Sequence, residues 1–271
     1  MTAAAAPTVL PPLAPRAWLR YDLVDRLVTA LRPATVLEIG CGQGSMGARL
    51  ARRASYLAVE PDPVSFAVAS ARITACGGTV LNADHTAVPA GATYDLVCAF
   101  EVLEHLADDA GALAEWVRFV APGGHLMLSV PAFQDRFGPM DTRVGHYRRY
   151  EPAQLAGLLT AAGLTDPDVR VYGWPLGYAL EAVRNRMDAR HLAVEAAAAP
   201  AGPAGAAGAV TAGSVAGPSP EERTAASGRH QQPGRAAVGR AIEAATLPFR
   251  YLQRLTPVRG TGLVAVATRP A

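Results

Sequence analysis

At 271 residues, half of them hydrophobic, the chain can bury one sizeable α/β domain or two small ones, which excludes collagen, a coiled coil and a fully disordered polymer. Basic and acidic residues number 25 and 23, a formal charge of +2, so neutralising a phosphate backbone is not its main business and nucleic acid is not an expected partner. All 25 basic residues are Arg, and the three cysteines, Cys41, Cys76 and Cys98, form no CxxC pair; neither a disulfide framework nor a cysteine-zinc site is indicated, and a reducing cytoplasm fits.

No stretch approaches the about 20 uninterrupted apolar residues of a membrane-spanning helix. Residues 1–15 are rich in Ala and Pro, lack the basic-then-apolar order of a secretory leader and read as a disordered tail. Leucines at 19, 23, 27 and 31 then recur every four residues, which predicts a helix over 16–31 with one side on a core, ended by Pro33. Beyond it, short apolar runs alternate with amphipathic segments. Strands are expected at 35–39, 56–59, 79–81, 94–100 and 125–130, with helices near 45–54, 63–75 and 108–120. Strands apolar at nearly every position belong to a parallel sheet covered on both faces, with ligands beyond the carboxyl ends of the strands. A helix near 152–162 and a sixth strand near 169–172 follow. Between about 193 and 237 the chain dissolves into Ala, Gly, Pro and Ser, too poor in large apolar residues to offset its ordering entropy. Residues 262–268 read as one more strand of the same sheet, so 16–271 is taken as a single domain with a disordered, low-complexity insertion.

Residues 35–46, TVLEIGCGQGSM, run from a strand through a glycine-rich turn into a helix. Gly40, Gly42 and Gly44 allow a tight turn and close approach to a ligand, and the helix start offers free N–H groups, so a nucleotide-like guest is expected. Gly42, Gly44 and Gly47 also satisfy the dinucleotide pattern G-x-G-x-x-G. Three carboxylates favour another guest. Glu38 stands inside the strand where it can hold a ligand's ammonium, Glu60 ends the second strand where it can accept both ribose hydroxyls, and Asp84 closes the third strand facing an adenine amino group.

With VLEIGCGQG at 36–44, AVEPD at 58–62, NADH at 82–85, YDLVCAFEVLEHL at 94–106 and APGGHLMLSVP at 121–131, the chain resembles class I S-adenosylmethionine-dependent methyltransferases of the small-molecule type, similar to the ubiquinone-biosynthesis enzymes. The resemblance implies a Rossmann-like, doubly wound seven-stranded sheet, mostly parallel with the last strand antiparallel. It implies S-adenosyl-L-methionine as cofactor, with Glu38 and Gly40 at its methionine end, Glu60 on the ribose and Asp84 at the adenine. Cys41, Gly42, Gly44, Pro61, His85 and Phe100 complete the expected cofactor contacts.

Glu101, Glu104 and His105 follow the fourth strand at i, i+3 and i+4 and would share a face if a helical turn began there. Such an ExxEH cluster can hold a divalent metal, as in the small-RNA 2′-O-methyltransferases it resembles locally, but it is also widespread in methyltransferases that need none, and no metal is expected. Residues 141–150, DTRVGHYRRY, carry expected acceptor contacts, with His146 as general base, Arg148 and Arg149 gripping a carboxylate or phosphate and Tyr147 as a further acceptor contact; Glu101 and His105 are further catalytic candidates. The alternative for these residues is a surface loop pinned by arginine ion pairs. Ile242, Ala245, Phe249 and Leu252 suggest a last helix that packs on the sheet, lies over the site as a lid, or touches a membrane carrying a lipid-linked acceptor.

The expected activity is O-methylation of a small molecule in specialised metabolism or in a sugar, lipid or quinone pathway. A nicotinamide-dependent oxidoreductase is the competing enzyme, but its catalytic Tyr/Lys pair cannot come from a chain without Lys. A module that binds S-adenosylmethionine without turnover is the competing non-enzyme.

Overall fold

The apolar runs become strands whose residues are buried in succession rather than alternately, because helices cover both faces of the sheet they form. The computed structural model describes residues 10–198, 236–256 and 258–271. Its strands are β1 (Thr35–Ile39), β2 (Ser55–Val59), β3 (Thr79–Leu81), β4 (Tyr94–Phe100), β5 (Val120–Pro131), β6 (Thr165–Gly173) and β7 (Gly260–Thr268). They lie in one seven-stranded sheet in the order β3-β2-β1-β4-β5-β7-β6. The first five are parallel to one another, and β7 runs antiparallel between β5 and β6. The chain winds outward from β1 to β3 and then returns to place β4 on the other side of β1. That reversal leaves a crevice beyond the carboxyl ends of β1 and β4, where ligands bind in such sheets.

The helices are α1 (Pro15–Leu31), α2 (Gly47–Leu50), α3 (Pro63–Thr74), α4 (Asp109–Val117), α5 (Pro139–Val144), α6 (Pro152–Ala161), α7 (Leu176–Ala198) and α8 (Ala236–Leu255). Local chemistry sets several of their starts. Pro15, Pro63, Pro139 and Pro152 occupy first-turn positions, and the Asp62 carboxylate accepts from the Ser65 N–H at 2.9 Å to cap α3. One core, with Leu19, Leu23 and Ile73, lies on one side of the sheet, and a second, with Leu113, Trp116, Leu155 and Leu159, on the other. Each fully buried Leu contributes about 1.5–3 kcal/mol relative to exposure.

Three expectations change. The predicted disordered tail is packed from residue 10: Leu13 is buried, and the Pro11 carbonyl accepts from the buried Arg49 at 2.8 Å. Its first nine residues lie outside the described ones. The helix expected near 45–54 shrinks to the single turn of α2, because the glycine loop occupies its beginning. Residues 193–198, placed in the low-complexity insertion, continue α7, as alanine's high helix propensity allows. Of that insertion, 199–235 lie outside the described residues.

In α8 the inward residues are Thr246, Phe249 and Gln253, not Ala245 and Leu252, which are exposed. Gln253 joins α8 to α1 and β6, donating to the Leu19 carbonyl at 3.0 Å and accepting from the Gly173 N–H at 3.1 Å. The helix is thus packed on the domain. No helix among the described residues is long and apolar enough to cross a membrane.

Candidate active site

The loop after β1 rests on Glu60. One oxygen of this buried carboxylate accepts from the Gly42 N–H at 2.7 Å and the other from the Asp62 N–H at 2.9 Å, tying the glycine loop to the end of β2. Burial pushes the Glu60 carboxyl up, and these two N–H groups pull it back. Gly42 has φ +53°, and a Cβ built there meets nothing within 4 Å, so a side chain would extend into the crevice that Gly42 lines. Gly44 serves differently: at φ +75°, a Cβ would fall 2.9 Å from the Ala69 Cα, so this glycine lets the loop press on α3.

Glu38 is buried in β1 and accepts from the Tyr56 hydroxyl at 2.5 Å. Burial pushes its carboxyl up to about 7 despite the pull of Tyr56 and Arg20. Cys41 is buried beside it, and burial together with the Glu38 and Glu60 charges raises its thiol well above the ordinary range, which leaves no reactive thiolate.

A cavity of about 580 Å³ joins this loop to the region beyond β4. Glu38, Gly40, Cys41, Gly42, Glu60, Pro61, Phe100, Glu101, His105 and His146 all line it. Arg16, Arg20, Met140 and Tyr172 also line it and carried no sequence signal. Its size suits a small-molecule site.

The ExxEH stretch is not a regular helix. Glu101 has φ +59° and a single 3₁₀ turn spans Leu103–His105, so the expected shared face divides. Glu101 turns to Arg20 at 3.2 Å and accepts from the Ser129 hydroxyl at 3.0 Å; burial raises its carboxyl, but the Arg20 and Arg16 guanidiniums outweigh that and hold it below its ordinary value. Glu104 and His105 instead face His146. Glu104 is 0 % exposed, and neither of its carboxyl oxygens has a hydrogen-bond partner. Burial and the Glu101 charge push it well above the ordinary range, toward the neutral acid. His105 is lowered to about 3 by burial and by the neighbouring His146. Glu104, His105 and His146 offer ligand atoms within 4.8 Å of one another, a donor set of the kind that suits a divalent cation; Glu101 is not part of it.

His146 is anchored from behind. Its Nδ1 lies 2.7 Å from Asp141 Oδ1, and its Nε2 is 3.8 Å from Glu104. Asp141 is held at about 2, because the bonds from His146 and Arg149 outweigh the burial that raises it. A carboxylate only accepts, so Nδ1 is the donor in the bond to Asp141, and the residue as a whole lines the cavity.

Six predicted contacts do not line the cavity: Gly44, which presses on α3, and five residues turned elsewhere. Asp84 is exposed, with its carboxylate turned back to cap Thr86 at 2.9 Å from the backbone N–H; that hydroxyl and N–H hold it below its ordinary value. His85 pairs with Glu115 of α4. Tyr147 points outward, and Arg148 pairs with Asp109 at 2.7 Å and the Ala107 carbonyl. Arg149 is 1 % exposed and bonds Asp141 through Nε and Nη2 and Glu181 through Nη1. The pinned-loop alternative therefore describes Arg148 and Arg149, which are consumed by ion pairs within the protein.

A doubly wound sheet, a glycine loop held by an acid at the end of β2 and a cavity beyond β4 define a Rossmann-like protein with a site suited to a nucleotide-like ligand. A family model described as a methyltransferase domain matches residues 14–168, and the chain belongs to the class I S-adenosylmethionine-dependent methyltransferases. A probable S-adenosylmethionine-dependent methyltransferase of Mycolicibacterium smegmatis is 32% identical over 64% of this chain and 66% of its own length. The ubiquinone biosynthesis O-methyltransferase of Nitrosomonas europaea is 28% identical over 56% of this chain and 72% of its own. A Bacillus halodurans crystal structure that carries a methyltransferase assignment superposes with a TM-score of 0.54 at 14% identity, covering 92% of this chain and 99% of its own, and shares the fold. The chain spans about half the length of several further curated relatives. Family membership sets aside the nicotinamide-dependent alternative.

Proposed function

We propose that the chain transfers a methyl group from S-adenosylmethionine to an oxygen of a small-molecule acceptor, with His146 as the general base. One observation carries this reading: the loop held by Glu60 and the Asp141-anchored imidazole open into the same cavity. When bound, the cofactor supplies an electrophilic methyl on a sulfonium, whose electron pair stays on sulfur as the bond breaks. The chain's own residues align the acceptor for in-line attack, and His146 Nε2 takes the hydroxyl proton as the new O–CH₃ bond forms. Asp141 holds the imidazole in that tautomer. The name of the Nitrosomonas relative supports oxygen as the attacked atom. The anchored base favours an enzyme over a module that merely binds the cofactor.

Calorimetric titration with S-adenosylhomocysteine, followed by a screen of hydroxylated compounds with a methyl-labelled donor, tests the proposal. Glu60→Ala removes both the ribose acceptor and the clamp on Gly42 and Asp62, and is expected to weaken S-adenosylhomocysteine binding by about 10- to 100-fold, one or two charge-assisted hydrogen bonds. Unchanged affinity would remove the cofactor assignment at its root.

Glu38 adds a pH dependence. A ligand ammonium binds the ionised carboxylate, which loses its proton at about 7 in the free protein, so affinity must rise with pH. Between pH 6 and pH 8 the expected gain is about tenfold. Glu38→Gln should flatten this profile, and a wild-type affinity that stays level across the range would separate Glu38 from the ammonium.

A further inference from the structure

One turn of α1 sets Arg16 and Arg20 four residues apart on the side that lines the cavity. Their surroundings differ. Arg20 is matched by Glu101 at 3.2 Å. Among the described residues Arg16 has no carboxylate within 4.0 Å, and its one hydrogen bond runs from Nη1 to the Met140 thioether at 3.5 Å, a weak acceptor. Its Nη2 is buried without any acceptor. A desolvated cationic donor left without an acceptor is costly, so this position favours a ligand that supplies one. Glu101 is close enough to feel the Arg16 charge, but it is ion-paired with Arg20 at 3.2 Å and accepts from the Ser129 hydroxyl at 3.0 Å.

We propose that Arg16 receives an oxyanion of the acceptor, so that the compounds methylated are hydroxylated acids, carrying a carboxylate or a phosphate, rather than neutral alcohols or phenols. This rests on the methyltransferase reading and names the substrate class for the same cavity. The contact with Met140 puts the guanidinium beside α5, the helix that also carries Asp141 and so anchors the base. Leu13, Ala17, Met140 and Val144 add apolar walls to the cavity, which suit the hydrocarbon body of an aromatic or aliphatic acid. A planar fork with two free N–H groups matches a carboxylate or phosphate edge in a way an ammonium does not.

The same chemistry has a second source, the carboxylate of the cofactor's own methionine part, and the experiment separates the two. Wild type, Arg16→Gln and Arg16→Lys are titrated with S-adenosylhomocysteine. Each complex is then titrated with benzoate, phenyl phosphate and, as the neutral probe, benzyl alcohol. The expected result is similar S-adenosylhomocysteine affinity in all three proteins and saturable binding of at least one anion to the wild-type complex. That binding should be tenfold or more weaker in Arg16→Gln and intermediate in Arg16→Lys, with benzyl alcohol indifferent to the substitution. Equal anion affinity in wild type and Arg16→Gln, or no saturable anion binding to the wild-type complex, overturns the proposal. So does a tenfold loss of S-adenosylhomocysteine affinity in Arg16→Gln with no effect on the anions, which would assign the guanidinium to the cofactor. Failure of wild type to bind S-adenosylhomocysteine would instead sink the methyltransferase reading beneath it.

Discussion

His146→Ala is expected to lower kcat for methyl transfer by about 10²–10⁴-fold, the usual contribution of a positioned general base. The basis is geometric. Asp141 accepts from Nδ1 at 2.7 Å, and His146 lines the cavity, where an acceptor hydroxyl must lose a proton as it attacks. The imidazole side chain is only 7 % exposed, so bulk water cannot readily take its place. Affinity for S-adenosylhomocysteine should be nearly unchanged, because the residues clamping the glycine loop lie elsewhere. A variant that turns over at the wild-type rate across pH would dismiss His146 as base and leave Asp141–His146 as a brace between α5 and the loop that follows it.

Arg149→Ala should act on stability instead. Arg149 sits between two buried carboxylates, contacting Asp141 at 2.6 Å and Glu181 at 3.1 Å, and so ties α5 to α7. Glu181 also meets Arg136 at 3.3 Å, but Asp141 would keep only His146 and the Gly138 N–H. Removing one partner of a buried pair leaves charge without compensation, at a cost of about 3–5 kcal/mol. The measurement is chemical denaturation of both proteins, with expected loss of the stated size. Lysine should restore only part of it, since a point charge cannot span both carboxylates. If the variant kept wild-type stability and only raised KM, Arg149 would be returned to the acceptor-binding role that its sequence neighbourhood suggests.

Those two residues, three apart in one segment, show where reading the sequence works and where it stops. The density of polar groups at 141–150 marks the segment as functional. Nothing in it separates the histidine that faces the cavity from the arginine that turns inward, because that depends on Glu181, 32 residues farther on. Asp84 makes the same point. Its place at the end of β3 is legible, but the direction of its carboxylate is decided by Thr86, two residues later, which draws it into a cap. Arg16 and Arg20 were invisible for the opposite reason: they lie in an ordinary amphipathic helix, and only its packing against the strand ends turns one of its sides toward the cavity.

What the amino-acid sequence determined by itself is the chain's local grammar. Apolar runs make strands, glycines at 40, 42 and 44 make the turn, prolines open helices, and Glu60 falls at the end of β2, all through interactions spanning a few residues. From the order of those pieces the doubly wound sheet and its crevice follow, since parallel strands joined by helices have few ways to pack. The tertiary structure alone decided which charges meet. Ion pairs form between residues distant in the chain, and burial shifts Glu38, Glu104 and His105 by amounts that depend on every neighbour brought against them. Of the residues expected at strand ends, Glu38, Gly40, Gly42 and Glu60 line the cavity while Asp84 and His85 turn away; on the other side His146, Glu101 and His105 line it as expected, whereas Arg16, Arg20 and the inward turn of Arg149 depend on packing between distant elements.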